Sequence, residues 1–184
     1  MTPEVLETAR LRLDLPVASD RERVAEYCAD PLFEHYMTTP WPYELRHADW
    51  FLGKLVPQGW LTDDEFTWAL RLGEGHPLLG VIGYRVASGD IGFWLGAPHR
   101  GNGYMPEAVR AVSAWLFRQR GVEKVAWECV LGNAASATVA RKAGFTFTGA
   151  RPTELTFRDG SHPLAWHGEL QVGDTRDEKP GWPV

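Results

Sequence analysis

With 184 residues, 44% hydrophobic and 23% charged, the chain is sized and composed for one globular domain, which excludes a largely disordered polymer. Its formal net charge of −5 argues against nucleic-acid binding driven by phosphate attraction, and no apolar run approaches the roughly 18 residues of a membrane span. Two cysteines, Cys28 and Cys129, are too few for a disulfide framework and lack zinc-type spacing. With an N-terminus that has no signal-peptide core, they point to buried thiols in a reducing cytoplasm.

In chain order, Leu11, Leu13 and Leu15 alternate with Arg12 and Asp14, the period of a half-buried strand. Residues 20–29 read as a helix capped by Ser19 or Asp20 and stopped before Pro31. Residues 31–43, PLFEHYMTTPWPY, read as irregular, and residues 46–56 as a second helix with Trp50, Phe51 and Leu55 on one face. Residues 65–72, 78–86 and 90–95 are strand-like runs joined by short turns, an antiparallel meander. Ala108, Val109, Val112, Trp115 and Leu116 then stand at helical spacing, with Pro106 in the first turn and Gly121 at the C-terminal cap. Val125, Trp127 and Cys129 alternate as a strand, and Asn133 caps a short helix that ends at Gly144. Residues 145–149, 155–158 and 163–170 read as closing strands, with Asp159-Gly160 as a turn. The expectation is one α+β domain over residues 1–172, a meander feeding a β-α-β-α-β half, and a polar tail over residues 173–184 that frays.

Charge is distributed unevenly. Residues 97–145 carry seven bases and three acids, whereas residues 13–66 carry eleven acids and four bases. A compact polyanion on the basic side and a cationic ligand on the acidic side fit that asymmetry, as do two merely solvated faces.

The segment that carries chemistry is Pro98-His99-Arg100-Gly101-Asn102-Gly103-Tyr104-Met105-Pro106, between a strand and an amphipathic helix. Its glycines let the backbone approach a ligand, and a helix N-terminus adds free N–H donors and partial positive charge, the makings of an anion site. A P-loop would require Gly-Lys-Ser/Thr, which is absent, and a dinucleotide fingerprint would require a third glycine where Pro106 stands.

These residues resemble the Gln/Arg-x-x-Gly-x-Gly/Ala acetyl-CoA loop of the GNAT N-acetyltransferase superfamily. Asn133, Ser136, Gly144 and Phe145 are similar to that family's next helix, Asn-x-x-Ser/Ala … Gly-Phe. Thr8-Ala9-Arg10-Leu11-Arg12-Leu13 and Trp41-Pro42-Tyr43 resemble the branch of ribosomal-protein N-terminal acetyltransferases, and the likeness spans residues 6–170.

The resemblance implies a GNAT fold, a mostly antiparallel sheet flanked by helices and splayed between two strands, with acetyl-CoA as cosubstrate. The pantetheine arm would bond along Phe93, Trp94 and Leu95, and the pyrophosphate would sit on the amides of Arg100, Gly101, Asn102, Gly103, Tyr104 and Met105. Asn133 would hold the arm near the thioester, and Lys142 or Arg141 would meet a phosphate. Two positions depart from the pattern: Met105 replaces a small residue, and Ala140 stands where many members carry a tyrosine that protonates the leaving thiolate.

Acetyl transfer needs a deprotonated amine, a polarised thioester and a proton for the thiolate. Ser136, one helical turn from Asn133, is the expected acid, the role given to the similarly placed serine in the ribosomal-protein branch. For the base, Glu128 leads, with Asp90, Glu154 and Glu169 as alternatives. The acceptor wall is expected from the aromatic, acidic loop, through His35, Trp41 and Tyr43, whose faces suit a cationic amine. His35, His47, His99 and His167 have no metal-ligand spacing, so no metal is expected. The expected activity is N-acetylation of a primary amine by direct attack in a ternary complex, by a cytoplasmic monomer or homodimer without membrane or nucleic-acid partners. The acceptor is a protein N-terminus or a small amine; a non-catalytic acetyl-CoA-binding protein is the alternative.

Overall fold

The computed structural model describes residues 2–184. Its strands are β1 (Leu6–Glu7), β2 (Arg12–Asp14), β3 (Glu65–Arg71), β4 (Gly80–Arg85), β5 (Asp90–Leu95), β6 (Lys124–Val130), β7 (Thr146–Pro152) and β8 (Leu164–Gln171). Its α-helices are α1 (Arg21–Cys28), α2 (Leu32–Tyr36), α3 (Leu45–Trp50), α4 (Val56–Thr62), α5 (Tyr104–Gln119) and α6 (Ala134–Ala143). The strands form one sheet in the order β1-β2-β3-β4-β5-β6-β8-β7, antiparallel throughout except where β5 meets β6. This is the expected α+β class, a mostly antiparallel sheet flanked by helices.

Strand periodicity sorts side chains onto two faces. Phe66, Trp68 and Leu70 of β3, with Ile82 and Tyr84 of β4, join Val109, Val112 and Trp115 of α5 in the main core. The Trp115 ring lies edge-on to Phe66 and Trp68, with centroids 5.4 and 5.2 Å apart. The alternate residues Ala69, Val81 and Trp94 face the other way and pack with Val24, Tyr27 and Ala48 of α1 and α3. Beside them Arg71 is buried with two carboxylates, bonding Asp14 at 2.7 Å and Asp20 at 2.6 and 2.8 Å.

Four stretches differ from the sequence expectation. Residues 31–43 are not wholly irregular, because Leu32–Tyr36 close a short helix that buries Phe33. The second helix does not stop at Val56: it runs from Leu45 to Thr62 through a π turn at Phe51–Leu55. Pro57 has no N–H, and its ring would crowd the carbonyl of Gly53 in a regular helix; the wider turn, with Val56 N–H on the Phe51 carbonyl, accommodates it. Residues 155–158 form no strand and belong to a turn anchored by side chains. The tail does not fray: Trp182 packs on Trp127 and Phe147 at 5.5 and 5.4 Å, and the Val184 carbonyl accepts from Arg141. No helix among the described residues is long and apolar enough to cross a membrane.

Candidate active site

Only Asp90 and Ala126 stand in register between the parallel strands β5 and β6. Each strand is paired on its other side, β5 with β4 and β6 with β8, so past that point their facing edges part. The gap opens into a cavity of about 1080 Å³. Phe93, Trp94 and Leu95 line one wall, Asn133, Ser136 and Lys142 the other.

The loop from Arg100 to Met105 closes one end. Gly101 and Gly103 take φ of 81° and 73°, left-handed values that favour glycine, and so bend the chain into α5. The amides of Gly101, Asn102, Gly103, Tyr104 and Met105 donate to no acceptor among the described residues. From outside, Arg10 donates to the carbonyls of Asn102 and Gly103, at 2.9 and 3.2 Å, leaving the amide side of the loop clear. An oxyanion meeting this loop finds several free donors at a helix N-terminus. The Met105 side chain turns into the core and is 2% exposed, so its bulk does not obstruct the loop.

Several side chains lie elsewhere than the sequence suggested. The Arg100 guanidinium binds Asp30 at 2.8 Å and the Leu95 carbonyl at 3.1 Å, and its amide donates to Ala97, so it braces the loop. Asn102 does not line the cavity; its amide group folds back on the carbonyls of His99 and Arg100. Asn133 caps α6, its side chain accepting from the Ser136 amide at 3.2 Å. Lys142 lines the cavity, and its ammonium has no hydrogen-bond or ion-pair partner among the described residues. Ala140 is buried in the core and does not reach the cavity.

Ser136 stands between two neighbours that orient it. The Trp127 indole N–H donates to Ser136 Oγ at 3.2 Å, which occupies a lone pair, while the hydroxyl lies within hydrogen-bond reach of the Cys129 sulfur. The Cys129 thiol also lines this wall, and burial pushes its pKa up to about 12, so it stays protonated.

Among the carboxylates, Glu128 lies on the face of β6 opposite Val125, Trp127 and Cys129, because β6 runs without a bulge against β8. It is nearly buried, and its oxygens accept from Thr153 Oγ1 and from the amides of Glu154 and Leu155 at 3.0 and 3.2 Å. Asp90 is held by Arg85 and Ser88, and Glu169 pairs with Lys124 at 3.3 Å. A carboxylate that the sequence reading passed over, Glu65, lines the cavity from β3 together with Thr67, Gly83, Arg85 and Gly92. The available signal was a glycine inside each of two successive strand-like runs, which marks a close approach.

Of the three expected acceptor residues, only Tyr43 lines the cavity. Burial, and then the nearby Cys28, push its phenol pKa up, so it stays neutral. His35 is exposed and meets the Tyr36 ring edge-on, while Trp41 packs against the second core, so neither lines the cavity. Phe33, Met37, His47, Trp50 and Phe51 form it instead. Two links hold this side to the C-terminal half: Tyr36 Oη reaches the Gly132 carbonyl at 3.4 Å, and Arg158 donates to the carbonyls of Glu34, Met37 and Thr39.

Comparisons with known proteins agree with this geometry. The profile of a family described as an acetyltransferase (GNAT) domain matches residues 10–146. A relative from Bacillus subtilis (strain 168), the uncharacterized protein YkkB, is 30% identical over 109 residues. That stretch is 58% of this chain and 57% of the relative, so the chain spans just over half the relative's length. The fold is similar to that of a candidate ribosomal-protein-serine acetyltransferase from Vibrio cholerae, with TM-score 0.79 and 19% identity over 93% of this chain and 99% of that one. It is also similar to RimL, a ribosomal-protein α-N-acetyltransferase in complex with coenzyme A, with TM-score 0.78 and 15% identity over 92% of this chain and 98% of that one. With the parted strands, the free-amide loop and the capped helix all inside the matched segment, the chain belongs to the GNAT acetyltransferase family.

Proposed function

We propose that this protein transfers the acetyl group of acetyl-CoA to a primary amine. The observation that carries the reading is the run of free amides from Gly101 to Met105 at the mouth of the cleft between β5 and β6. A pyrophosphate suits those donors, and the unpaired edge of β5 past Asp90 offers backbone groups to an amide-bearing arm. Lys142 supplies a cation for a phosphate from the opposite wall.

Acetyl-CoA supplies the activated acyl group; the chain orients it and manages protons. Ser136, oriented by Trp127, donates a proton to the departing sulfur. Glu128 shares the cavity, but its bonds to Thr153, Glu154 and Leu155 make it the anchor of the turn after β7. The working compartment is read as the cytoplasm, where both buried thiols stay reduced.

A protein N-terminus is the first reading of the acceptor, supported by the names of the ribosomal-protein acetyltransferases that share the fold. A small amine is the second, favoured by the Arg158 and Tyr36 ties that narrow the acceptor side. The test offers acetyl-CoA with N-terminal peptides and with small primary amines, following free thiol and product mass. Thiol release with an acetylated amine is expected; no acetylated product from any acceptor contradicts the reading.

A further inference from the structure

The sheet face turned toward α1 and α3 contains a trough. Register places Glu65 opposite Arg85 and Arg85 opposite Asp90, and in the next row Thr67 opposite Gly83 and Gly83 opposite Gly92. These residues alternate with Phe66, Tyr84 and Ile91, which point into the main core, so both rows lie on the cavity side. The paired glycines leave the middle row bare. A Cβ at Gly83 would stand 3.1 Å from Glu65 Oε1, and one at Gly92 would stand 3.4 Å from the Arg85 guanidinium. Side chains at these two positions would fill the space that Glu65 and Arg85 overlook.

The charges around the trough are not equally engaged. Arg85 binds Asp90 through both carboxylate oxygens, and Ser88 binds the same aspartate. Glu128 is held by the turn after β7. Glu65 alone of the three carboxylates has no hydrogen bond or ion pair from its side chain among the described residues. A half-buried carboxylate that feels Arg85 only at a distance and accepts no hydrogen bond is costly, and a cation entering the cavity would relieve that cost. The opposite wall, with Tyr43, His47, Trp50 and Phe51, offers aromatic faces and apolar surface.

We propose that Glu65 is the acceptor-amine carboxylate: it receives the ammonium of a primary amine with an apolar or aromatic body over the Gly83–Gly92 trough and takes its proton. This rests on the acetyl-transfer reading and names what its acceptor side recognises. The proton passes from the ammonium to a Glu65 oxygen, freeing the nitrogen lone pair. That pair forms the N–C bond to the acyl carbon, and the C–S bond breaks with its electrons on sulfur. Nitrogen gives a second proton to solvent as the amide forms, sulfur takes one from Ser136, which solvent reprotonates, and Glu65 then releases its proton to solvent. Burial first, opposed by Arg85 and reinforced by Asp90, raises the Glu65 pKa above the usual carboxylate range, which brings its basicity closer to that of an amine. The titratable groups near it are Arg85 on β4, Asp90 on β5, Glu128 on β6, and Tyr43 and His47 across the cavity; α4, packed against the Glu65 backbone, contributes none.

Glu65→Gln keeps the shape and removes the charge. In the variant, acetyl-CoA affinity is expected to stay within about twofold, while kcat/KM for the amine at neutral pH falls about a hundredfold or more. The loss should shrink as pH nears the amine's own pKa, and the acid limb of the wild-type profile should disappear. Phenethylamine titrated by calorimetry into the coenzyme A complex supplies a readout independent of turnover: binding at least about tenfold weaker in Glu65→Gln is expected. Equal phenethylamine binding, or an unchanged acid limb, overturns the proposal, as does loss of that limb in Glu128→Gln but not in Glu65→Gln. Wild-type protein that binds phenethylamine through Glu65 yet acetylates no amine would overturn the acetyl-transfer reading and leave the site standing.

Discussion

Arg10 holds Glu107 through Nε at 2.7 Å and through an Nη nitrogen at 2.6 Å, and the same guanidinium holds the carbonyls of Asn102 and Gly103. Thr8 Oγ1 reaches Glu107 as well, at 2.6 Å. The Thr8-Ala9-Arg10 segment is thus a clamp on the back of the Arg100–Met105 loop, joining β1 and β2 to the start of α5. Arg10→Ala is expected to weaken acetyl-CoA binding about five- to tenfold, the equivalent of roughly 1 kcal/mol. Thermal stability should change little, because the Arg10 side chain is 49% exposed. Calorimetry and a melting curve on one preparation check both halves.

Ser136→Ala should lower kcat with little effect on acetyl-CoA affinity. The expected loss is about ten- to a hundredfold, at the low end for an acid because a thiolate is a tolerable leaving group. Trp127→Phe keeps an aromatic side chain in the core, although a smaller one, and removes the indole donor, so a smaller fall in kcat is expected, together with some loss of stability. Full activity in Ser136→Ala would remove the serine from the mechanism.

Arg71→Met should destabilise the fold without touching the site. It would leave Asp20, 4% exposed, without its cation and Asp14 with Arg12 alone, and breaking such a buried pair costs about 3–5 kcal/mol. Urea denaturation measures the loss; surviving protein should keep wild-type affinity for acetyl-CoA.

Glu65 makes stability depend on pH in a specified direction. Its pKa is raised in the folded protein, so between the unfolded and folded values the native state holds more proton than the unfolded chain. Stability from this group is therefore full below the usual carboxylate pKa and declines as pH rises through the folded value. Glu65→Gln should melt higher than wild type at neutral pH, with the difference vanishing in acid. Melting curves across that range check the sign.

What could be read from sequence was local. The strand at residues 90–95, the Asn133 cap and the Gly101–Gly103 bend depend on neighbours a few residues away, and all three stand where the pattern put them. What was missed depends on distant partners. The Arg100 amide looked like part of the phosphate cradle, but it donates to Ala97, and the guanidinium is tied to Asp30 from another part of the chain. Leu155 and Phe157 suggested a strand, but the Glu128 carboxylate gathers that segment into a turn. Trp182 sits in a polar tail, where only the folded Trp127 and Phe147 give it a surface. Glu65 acquires meaning through cross-strand register, which sets it beside Arg85, Asp90 and two glycines from separate strands.

The most direct measurement is calorimetric titration of the purified protein with acetyl-CoA, coenzyme A and NAD. Binding of both coenzyme A forms in the micromolar range, with no heat from NAD, is the predicted result. No binding of either coenzyme A form would contradict the assignment of the Gly101 to Met105 amides as its phosphate site, and with it the proposed acetyl transfer.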